Sequence, residues 1–544
     1  MNELDLAKVI NEVVEPERTQ ANIDVGTFTA IFIHHLLGEM QMKLYKLHDF
    51  FQDKAIALLF PWKPDLNIYD INDDRAGRVL DAIWDANPQK VFAAVAMAAI
   101  RVHSLETDEV HFDTTSKSFY GAYENQSEGG GVPQIARGYP KDHRPDLLQI
   151  ILAAGTSKDG VPVVGDVTDG NASDMTTNGR WIKKLKSSLQ KKKKDPLLLI
   201  ADSALVTTTN LQLIKENKID IISRLPGRFN LEIELKREAL SKESWTPIGK
   251  LSEEKSAASY KAWDTTGKIE GVSYRFVVVH SDHKNKRKLK ALTKAVKREH
   301  TQATKALKKL KKRPFACAKD AEIEVKEYLK AHPLHYHTIN WEVEVREERE
   351  KRKKRGRPKK GEVIPIHTVH YLSGELALDT ESYSIAHECC GLFVLITTLL
   401  DVVKDPCTTI LVRYKGQGNV ERIFRFIKDP AWLGAFCLKK PERIAALGYV
   451  LLLAALIYVL WERRVRRALS APDAVPIEGL NRRKTTRPTT YALQSVMSPI
   501  LVQSERTEDM YRVWLPRSLT KNQLHVLELS GFSEGIYQGV LPLK

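Results

Sequence analysis

The stretch "DPLLLIADSAL", residues 195–205, decides the fold of this chain. Five apolar residues in a row lead directly to Asp202. A strand that is buried on both faces of a sheet has such a continuous apolar run, whereas a half-exposed strand alternates apolar and polar residues. The stretch therefore predicts a buried central strand that carries a carboxylate at its C-terminal end.

The segments on either side of this strand complete the pattern of an α/β layer. Three β-rich runs precede it, separated by turn residues, at residues 110–123, 147–157 and 161–170. Helical patterns lie at residues 175–194 and 207–218. Further apolar, strand-like runs follow at residues 219–227 and 392–397. Strands that come first and then alternate with helices indicate a layered α/β domain, here a mixed sheet flanked by helices.

The length of the chain predicts several domains. At 544 residues it exceeds one ordinary core, and about 100–200 residues per domain gives roughly three to five units. Changes in the pattern of apolar, polar and charged residues predict five units. They are a helical N-terminal domain at 1–105, the first part of the sheet domain at 106–228, a large insertion at 229–375, the second part of the sheet domain at 376–467 and a C-terminal region at 468–544. The N-terminal unit fits a DNA-binding helix-turn-helix and a plain helical bundle equally well.

An excess of positive charge is the main compositional signal. Lys and Arg number 84 against 68 Asp and Glu, so the formal net charge is +16. This balance suits a polyanion such as nucleic acid, although a membrane-surface protein would also fit. Five cysteines without a CxxC pair indicate a reducing cytosol, and the N-terminal sequence has no signal-peptide pattern.

One apolar segment must be weighed as a membrane span. Residues 445–461 carry no charge and are followed by arginines. Their number is at the lower edge of the roughly 17–25 residues that a span needs, and no second such segment exists, so a buried core helix is the better interpretation. We predict that this helix lies beneath the sheet and the insertion domain, and we expect no membrane contact.

Two segments of the insertion concentrate positive charge. Residues 284–313 contain fourteen Lys or Arg and one acidic residue, with apolar residues at heptad-like spacing, which predicts a long basic helix. Such a helix could lie along DNA phosphates or be a solvated arm with one apolar seam. The run "KRKKRGRPKKG", residues 351–361, looks like an AT-hook, in which Arg355 and Arg357 would enter an A·T minor groove; a flexible basic linker has the same composition.

Carboxylates in the predicted strands are the first candidates for chemistry. Asp113 lies in the first strand and Asp202 ends a later one, and a mixed sheet can bring two such residues together. Their repulsion is relieved by hard cations, since Mg²⁺ binds oxygen ligands and uses one or two carboxylates plus substrate phosphates. Two metals about 3.5–4 Å apart can then promote phosphoryl transfer. Asp166, Asp169 and Asp174 are rivals for the second position, but they crowd one glycine-containing turn and are more simply loop residues.

The stretch "YKGQGNVERIFRFIKDP", residues 414–430, supplies a third carboxylate. Steps of three, four and seven residues would place Tyr414, Gln417, Glu421 and Lys428 on one helix face, with apolar residues on the opposite face. Two glycines weaken this helix and Asn419 is a good N-cap, so the first two of these residues could precede it. The stretch predicts a helix that packs on the sheet and presents a carboxylate to it.

The charged neighbours of this carboxylate point to a polyanionic substrate. Glu421 could reach a metal while Lys428 reaches a phosphate, and Arg422 and Arg425 would neutralise nucleic acid. A zinc site is not predicted from the three histidines at 332–337, because no cysteine lies beside them.

These residues carry a specific resemblance to a known family. The order Tyr-x2-Arg-x3-Glu-x6-Lys is the signature of DDE transposases of the insertion-sequence 4 superfamily, and Tyr414, Glu421 and Lys428 match it at the right spacing. Gln417 stands where the family has its arginine. The blocks "HFDTTS" at 111–116 and "IADSAL" at 200–205 resemble the aspartate blocks of the IS1634-like group, whose members carry a largely β insertion before the glutamate.

The resemblance implies an RNase H-like catalytic core interrupted by the insertion. Asp113, Asp202 and Glu421 would be the catalytic residues and would bind two Mg²⁺ or Mn²⁺ ions. The implied activity is cleavage of double-stranded DNA at transposon ends and transfer to target DNA, by a protein that is a homodimer in the active complex and works in the cytoplasm of a prokaryotic cell, near the nucleoid. The implied DNA contacts near the site are Tyr414, Gln417 and Lys428. The alternative is a catalytically inactive, transposase-derived DNA-binding protein, which the glutamine in place of the family arginine favours weakly.

Overall fold

The computed structural model describes residues 1–15, 21–38, 46–119, 123, 131–138, 144–189, 196–253, 256–349, 365–428, 438–507 and 509–542. The α-helices are α1 Leu6–Asn11, α2 Val25–Leu37, α3 Leu47–Phe51, α4 Ile56–Leu59, α5 Asp73–Asp85, α6 Pro88–His103, α7 Asp174–Leu189, α8 Thr208–Asn217, α9 Asn230–Ser241, α10 Lys286–Leu310, α11 Ala318–Ala331, α12 Thr380–Cys389, α13 Cys407–Lys415, α14 Gly418–Lys428, α15 Pro441–Ala468, α16 Thr490–Met497 and α17 Lys521–Leu529. The β-strands are β1 Glu109–Phe119, β2 Leu148–Thr156, β3 Pro162–Thr168, β4 Leu198–Ala201, β5 Asp220–Arg224, β6 Thr246–Lys250, β7 Ser259–Ile269, β8 Val272–Ser281, β9 Pro314–Phe315, β10 His337–Arg349, β11 Ile366–Leu378, β12 Leu392–Thr397, β13 Ile477–Glu478, β14 Lys484–Thr485, β15 Gln503–Arg506, β16 Met510–Trp514 and β17 Gly539–Pro542.

A large mixed sheet is the centre of the fold. Within the described residues, nine strands form it in the order β3-β2-β1-β4-β5-β12-β8-β7-β6. β1, β2 and β3 are an antiparallel meander, whereas β4 runs parallel to β1, and β5 parallel to β4. All four residues of β4 are buried, as the apolar run at 195–205 predicts. The predicted α/β fold, with a mixed sheet flanked by helices and a helical N-terminal region, is confirmed.

The predicted insertion, residues 229–375, contributes to this sheet. Its strands β6, β7 and β8 pair in sequence, and β8 is antiparallel to β12, so they extend the sheet. The helices α9, α10 and α11 lie in the same span, and this insertion is therefore more helical than the resemblance implied. The domain boundaries themselves stay predictions.

A long β-hairpin forms the distal part of the insertion. β10 and β11 pair antiparallel from the His337–Leu378 pair to the Arg349–Ile366 pair. In the sequence, the AT-hook-like run follows the last residue of β10 and precedes the first residue of β11. Arg355 and Arg357 lie outside the described residues.

The basic segment forms the predicted helix, α10. Of its apolar residues, Leu292, Ala303 and Leu307 are buried, and most of its lysines are exposed. Its C-terminal Leu310 packs into a small core with Trp341 of the hairpin. The apolar residues of α10 thus pack against the rest of the protein, while its basic side faces solvent.

The apolar segment 445–461 lies within α15 and is buried. Among the described residues α15 is the one helix long and apolar enough to cross a membrane, and 83% of its apolar window is buried inside the fold. It packs on β3 and on α2, α5 and α6. The predicted cover by the insertion domain is wrong, because helices of the N-terminal region occupy that side. An ion pair of 2.6 Å between Arg443 and Asp81 joins α15 to α5.

Candidate active site

The register of two parallel strands places Asp113 beside Asp202. Phe112 of β1 pairs with Ala201 of β4, and the two aspartates are the next residues in each chain segment. Asp202 continues with extended backbone angles, φ −71° and ψ −179°. Because neighbouring strands lie about 4.7–4.9 Å apart, the two residues are side by side at the same edge of the sheet.

Local hydrogen bonds hold both aspartates. Asp113 Oδ1 accepts a bond of 2.7 Å from the backbone N–H of Thr114. Asp202 Oδ1 accepts one of 2.9 Å from the N–H of Ala204 and caps the short 3-10 turn that follows β4. The hydroxyl of Ser223, in the adjacent strand β5, donates to the Asp202 carbonyl at 2.7 Å. Both residues are half-buried.

The stretch 414–428 forms two helices rather than one. α13 ends at Lys415 and α14 begins at Gly418. At the junction, a Cβ on Gly416 would lie 2.7 Å from the ring of His111, so only glycine allows this close approach to β1. The predicted apolar side of α14 is confirmed, since Val420, Ile423 and Ile427 are buried.

α14 runs along β1 on the face that carries Asp113. His111, Asp113 and Lys117 share one face of the strand, because side chains alternate. His111 lies against Gly416, and Lys117 Nζ donates a bond of 3.4 Å to the carbonyl of Ile427, near the end of α14. Asp113 lies between these two contacts along β1, and Glu421 lies between Gly416 and Ile427 along the chain. The two carboxylates therefore stand on packed segments, and we call the space between β1 and α14 the groove.

Gln417 is turned into the protein. Its Nε2 donates a hydrogen bond of 2.7 Å to the backbone carbonyl of Phe112, and the side chain is 9% exposed. The prediction of one exposed face shared by Gln417 and Glu421 is wrong, because Gln417 is buried against β1 while Glu421 is exposed. A buried amide engaged by β1 positions α14 and does not offer its Nε2 to DNA.

Tyr414 lies near two of the three carboxylates. Burial raises the pKa of its phenol, the guanidinium of Arg224 lowers it, and the negative charges of Asp202 and Glu421 raise it further. These influences require Asp202 and Glu421 to lie near the same hydroxyl. A phenol is protonated at neutral pH, and the raised pKa extends this to higher pH, so the O–H of Tyr414 can donate a hydrogen bond.

The predicted DNA-binding arginines of α14 differ in their surroundings. Arg425 is exposed. Arg422 is half-buried, and its guanidinium donates to Glu462 at 2.6 Å and to Asn419 at 2.9 Å. Lys428, at the end of α14, is half-buried. Which of these side chains touch DNA stays a prediction.

Sequence reasoning missed Arg224. This residue ends β5, next to Asp202 in the neighbouring parallel strand, and its guanidinium lies 5.6 Å from the ring centre of Phe393. The signal in the sequence is a basic residue at the C-terminal end of a buried strand.

Asp166, the rival for the second carboxylate, is 2% exposed. It forms an ion pair of 2.6 Å with Lys184 and accepts a hydrogen bond of 3.0 Å from the hydroxyl of Tyr449. These contacts give Asp166 a structural role.

The carboxylates lie on adjoining elements without converging on one point. In the part of the chain that the structure describes, no three His, Cys, Asp or Glu side chains are close enough together to hold a metal ion. Asp113, Asp202 and Glu421 are nevertheless all hard oxygen donors around one groove. This donor set fits a hard divalent cation and does not fit zinc, which favours nitrogen and sulfur ligands.

Comparisons with solved structures find distant likenesses to transposases. The chain is similar to piggyBac transposase in a synaptic complex with hairpin DNA, with 9% identity, coverage of 86% of this chain and 74% of that one, and a TM-score of 0.36. It is also similar to Mos1 transposase in a paired-end complex with the left transposon end, with 10% identity, coverage of 38% and 61%, and a TM-score of 0.15.

Comparisons of sequence give the family. No curated protein matches the chain. Residues 1–97 match a domain of unknown function, DUF4277. Residues 110–457, more than half of the chain, match the family model described as a transposase DDE domain. The protein therefore belongs to the transposase DDE-domain family.

Proposed function

We propose that this protein is a DNA transposase of the insertion-sequence 4 superfamily, in its IS1634-like group, that cleaves DNA at transposon ends and joins the freed 3′-OH to target DNA. The observation that carries the proposal is the groove between β1 and α14. It combines Asp113 and Asp202, brought side by side by parallel strands, with Glu421 on α14, which is hydrogen-bonded to β1 through Gln417 just before its start and through Lys117 near its end.

We propose that Asp113, Asp202 and Glu421 hold two divalent ions, Mg²⁺ or Mn²⁺. Three carboxylates close to one another repel, and bound divalent cations would relieve this repulsion. When bound, such ions activate the attacking oxygen and stabilise the leaving one in phosphoryl transfer. The residues of the chain supply the oxygen ligands and their spacing.

The other residues of the groove have positioning and binding roles in this proposal. Gln417 holds the start of α14 on β1 and so sets the place of Glu421. Tyr414, as a neutral phenol, donates a hydrogen bond to a carboxylate or to a DNA phosphate. Lys428 contributes a positive charge for a phosphate at the other end of α14. Binding of double-stranded DNA by a homodimer, with two ends cut in one complex, completes the proposal.

The rival function is a DNA-binding protein that has lost catalysis. The two are separated by incubating the purified full chain with a labelled duplex that contains the inverted repeat flanking its coding region. A transposase cuts the duplex in Mg²⁺ or Mn²⁺ and leaves it intact in a chelator. Binding without cleavage in either metal would favour the rival, and the absence of both would contradict the proposal.

A further inference from the structure

A basic cleft lies beside the candidate active site. It has a volume of about 700 Å³ and is bounded by α14, the C-terminal half of α15 and the turn between β2 and β3. Its cationic lining residues are Lys158, Arg422, Arg463, Arg466, Arg467 and Arg487. Glu106, Asp159 and Glu462 are its acidic lining residues. The cleft thus carries more positive than negative side chains.

Two of the three acidic residues are already paired with arginines of the cleft. Glu462, 3% exposed, binds Arg422 at 2.6 Å and Arg466 at 2.7 Å, so one carboxylate serves two guanidinium groups. Asp159 binds Arg463 at 2.6 Å. Arg467 and Arg487 are exposed at the rim. The ion pairs hold the inner arginines in place, and the surplus charge points toward the opening.

The crowding of guanidinium groups is reflected in the pKa of Arg466. Burial lowers this pKa to about 10, and Glu462 opposes the shift while Arg422 and Arg487 add to it. At neutral pH the group is still charged, and an incoming anion would relieve the repulsion. Guanidinium groups bind phosphate oxygens in a bidentate manner, which makes a phosphate the fitting anion.

The position of the cleft indicates which phosphates it meets. Arg422 directly follows Glu421 in α14, and Asn419 of the same helix also lines the cleft. We infer that this cleft binds backbone phosphates of the DNA strand next to the position that the carboxylates cleave. The inference rests on the proposed function and adds a phosphate-binding surface built mainly on α15.

The test uses the exposed rim and leaves the inner ion pairs intact. The double variant Arg467→Gln, Arg487→Gln removes two charges from the cleft. Its matched control, Arg482→Gln, Arg483→Gln, removes two exposed charges from the same C-terminal region outside the cleft. Binding of a labelled end-containing duplex is measured in Ca²⁺ at several salt concentrations for the full-length proteins, with circular dichroism to verify folding.

Each lost phosphate contact lowers the slope of log K against log salt by about one unit. We expect a slope smaller by about two units for the cleft variant and an unchanged slope for the control. Equal changes in both variants, or an unchanged cleft variant, would overturn the inference. If the parent binds and cuts the duplex but the cleft variant has an unchanged slope, the inference about the cleft is wrong and the proposed function stands. If the parent neither binds nor cuts the duplex, the proposed function is wrong.

Discussion

Gln417 donates a hydrogen bond of 2.7 Å to the backbone carbonyl of Phe112, the residue immediately before Asp113. Gln417 itself lies one helical turn before Glu421. This bond therefore links the backbone on which one candidate catalytic carboxylate stands to the helix that carries another. The glutamine, which stands where the signature of the insertion-sequence 4 superfamily has arginine, has a structural role in this chain.

We predict that Gln417→Met slows cleavage without weakening DNA binding. Loss of the bond should cost about 1 kcal/mol of stability, and a small displacement of Glu421 should reduce the cleavage rate by about ten- to a hundredfold. Urea unfolding and single-turnover cleavage measure the two effects. Gln494→Met is the matched control, since Gln494 Nε2 donates in the same way to the carbonyl of Leu37 at 2.9 Å, far along the chain from the site. Equal losses of cleavage in both variants would mean that Gln417 acts only through stability.

The phenol of Tyr414 reports on the carboxylates beside it. Its pKa is raised by burial and by the charges of Asp202 and Glu421, because a negative neighbour disfavours a phenolate. We predict that Glu421→Gln moves this pKa downward, toward the ordinary value of 10.0 for tyrosine. Carbon NMR of labelled tyrosine measures the titration, and Tyr414→Phe assigns the signal. If the pKa of Tyr414 is the same in the parent and in Glu421→Gln, then Glu421 does not lie near Tyr414.

The same titration tests cation binding independently of cleavage. Ca²⁺ held among the carboxylates would offset their charge and lower the pKa of Tyr414 in the parent protein. The shift should be absent in a variant that combines Asp113→Asn, Asp202→Asn and Glu421→Gln. A signal that does not respond to Ca²⁺ in the parent would contradict a metal site in this groove.

The burial of α15 predicts a large loss of stability on truncation. Leu452 is 0% exposed and packs against Gly165 of β3. Leu452→Ala should lower the free energy of unfolding by about 2–5 kcal/mol. Val412→Ala, at a position that is 50% exposed, is the control and should change it by less than about 0.5 kcal/mol. Similar values for both would mean that α15 is not part of the core in solution.

The central sheet could be predicted because its signals are local. The apolar run before Asp202 and the β-rich runs at 110–123 and 147–157 specify strands by their own residues, and the structure has strands at each. The pairing of β8 with β12 could not be predicted, because it joins segments more than a hundred residues apart and depends on the whole sheet. Extension of the sheet by the insertion is therefore a finding of the structure.

The candidate site was predictable in its residue types and only partly in its geometry. Spacing along an ideal helix placed Gln417 and Glu421 on one face, but the structure has two helices, with a break at Gly416 where the chain closely approaches His111 of β1. Such a contact comes from a distant strand and leaves no periodic signal. Arg224 was missed for a related reason, since its proximity to Tyr414 arises from neighbouring elements of the folded sheet.

Cleavage by Glu421→Gln, compared with binding by the same protein, tests the central claim most directly. Glu421 is exposed and its replacement keeps the size of the side chain, so folding and end binding should be retained. The matched control is Glu234→Gln, which makes the same change at an exposed position of α9. The account predicts that Glu421→Gln binds the labelled end-containing duplex as the parent does, yet cuts it at least a hundredfold more slowly in Mg²⁺, while Glu234→Gln cuts at the rate of the parent. Cleavage by Glu421→Gln at the rate of the parent would contradict the assignment of the catalytic groove.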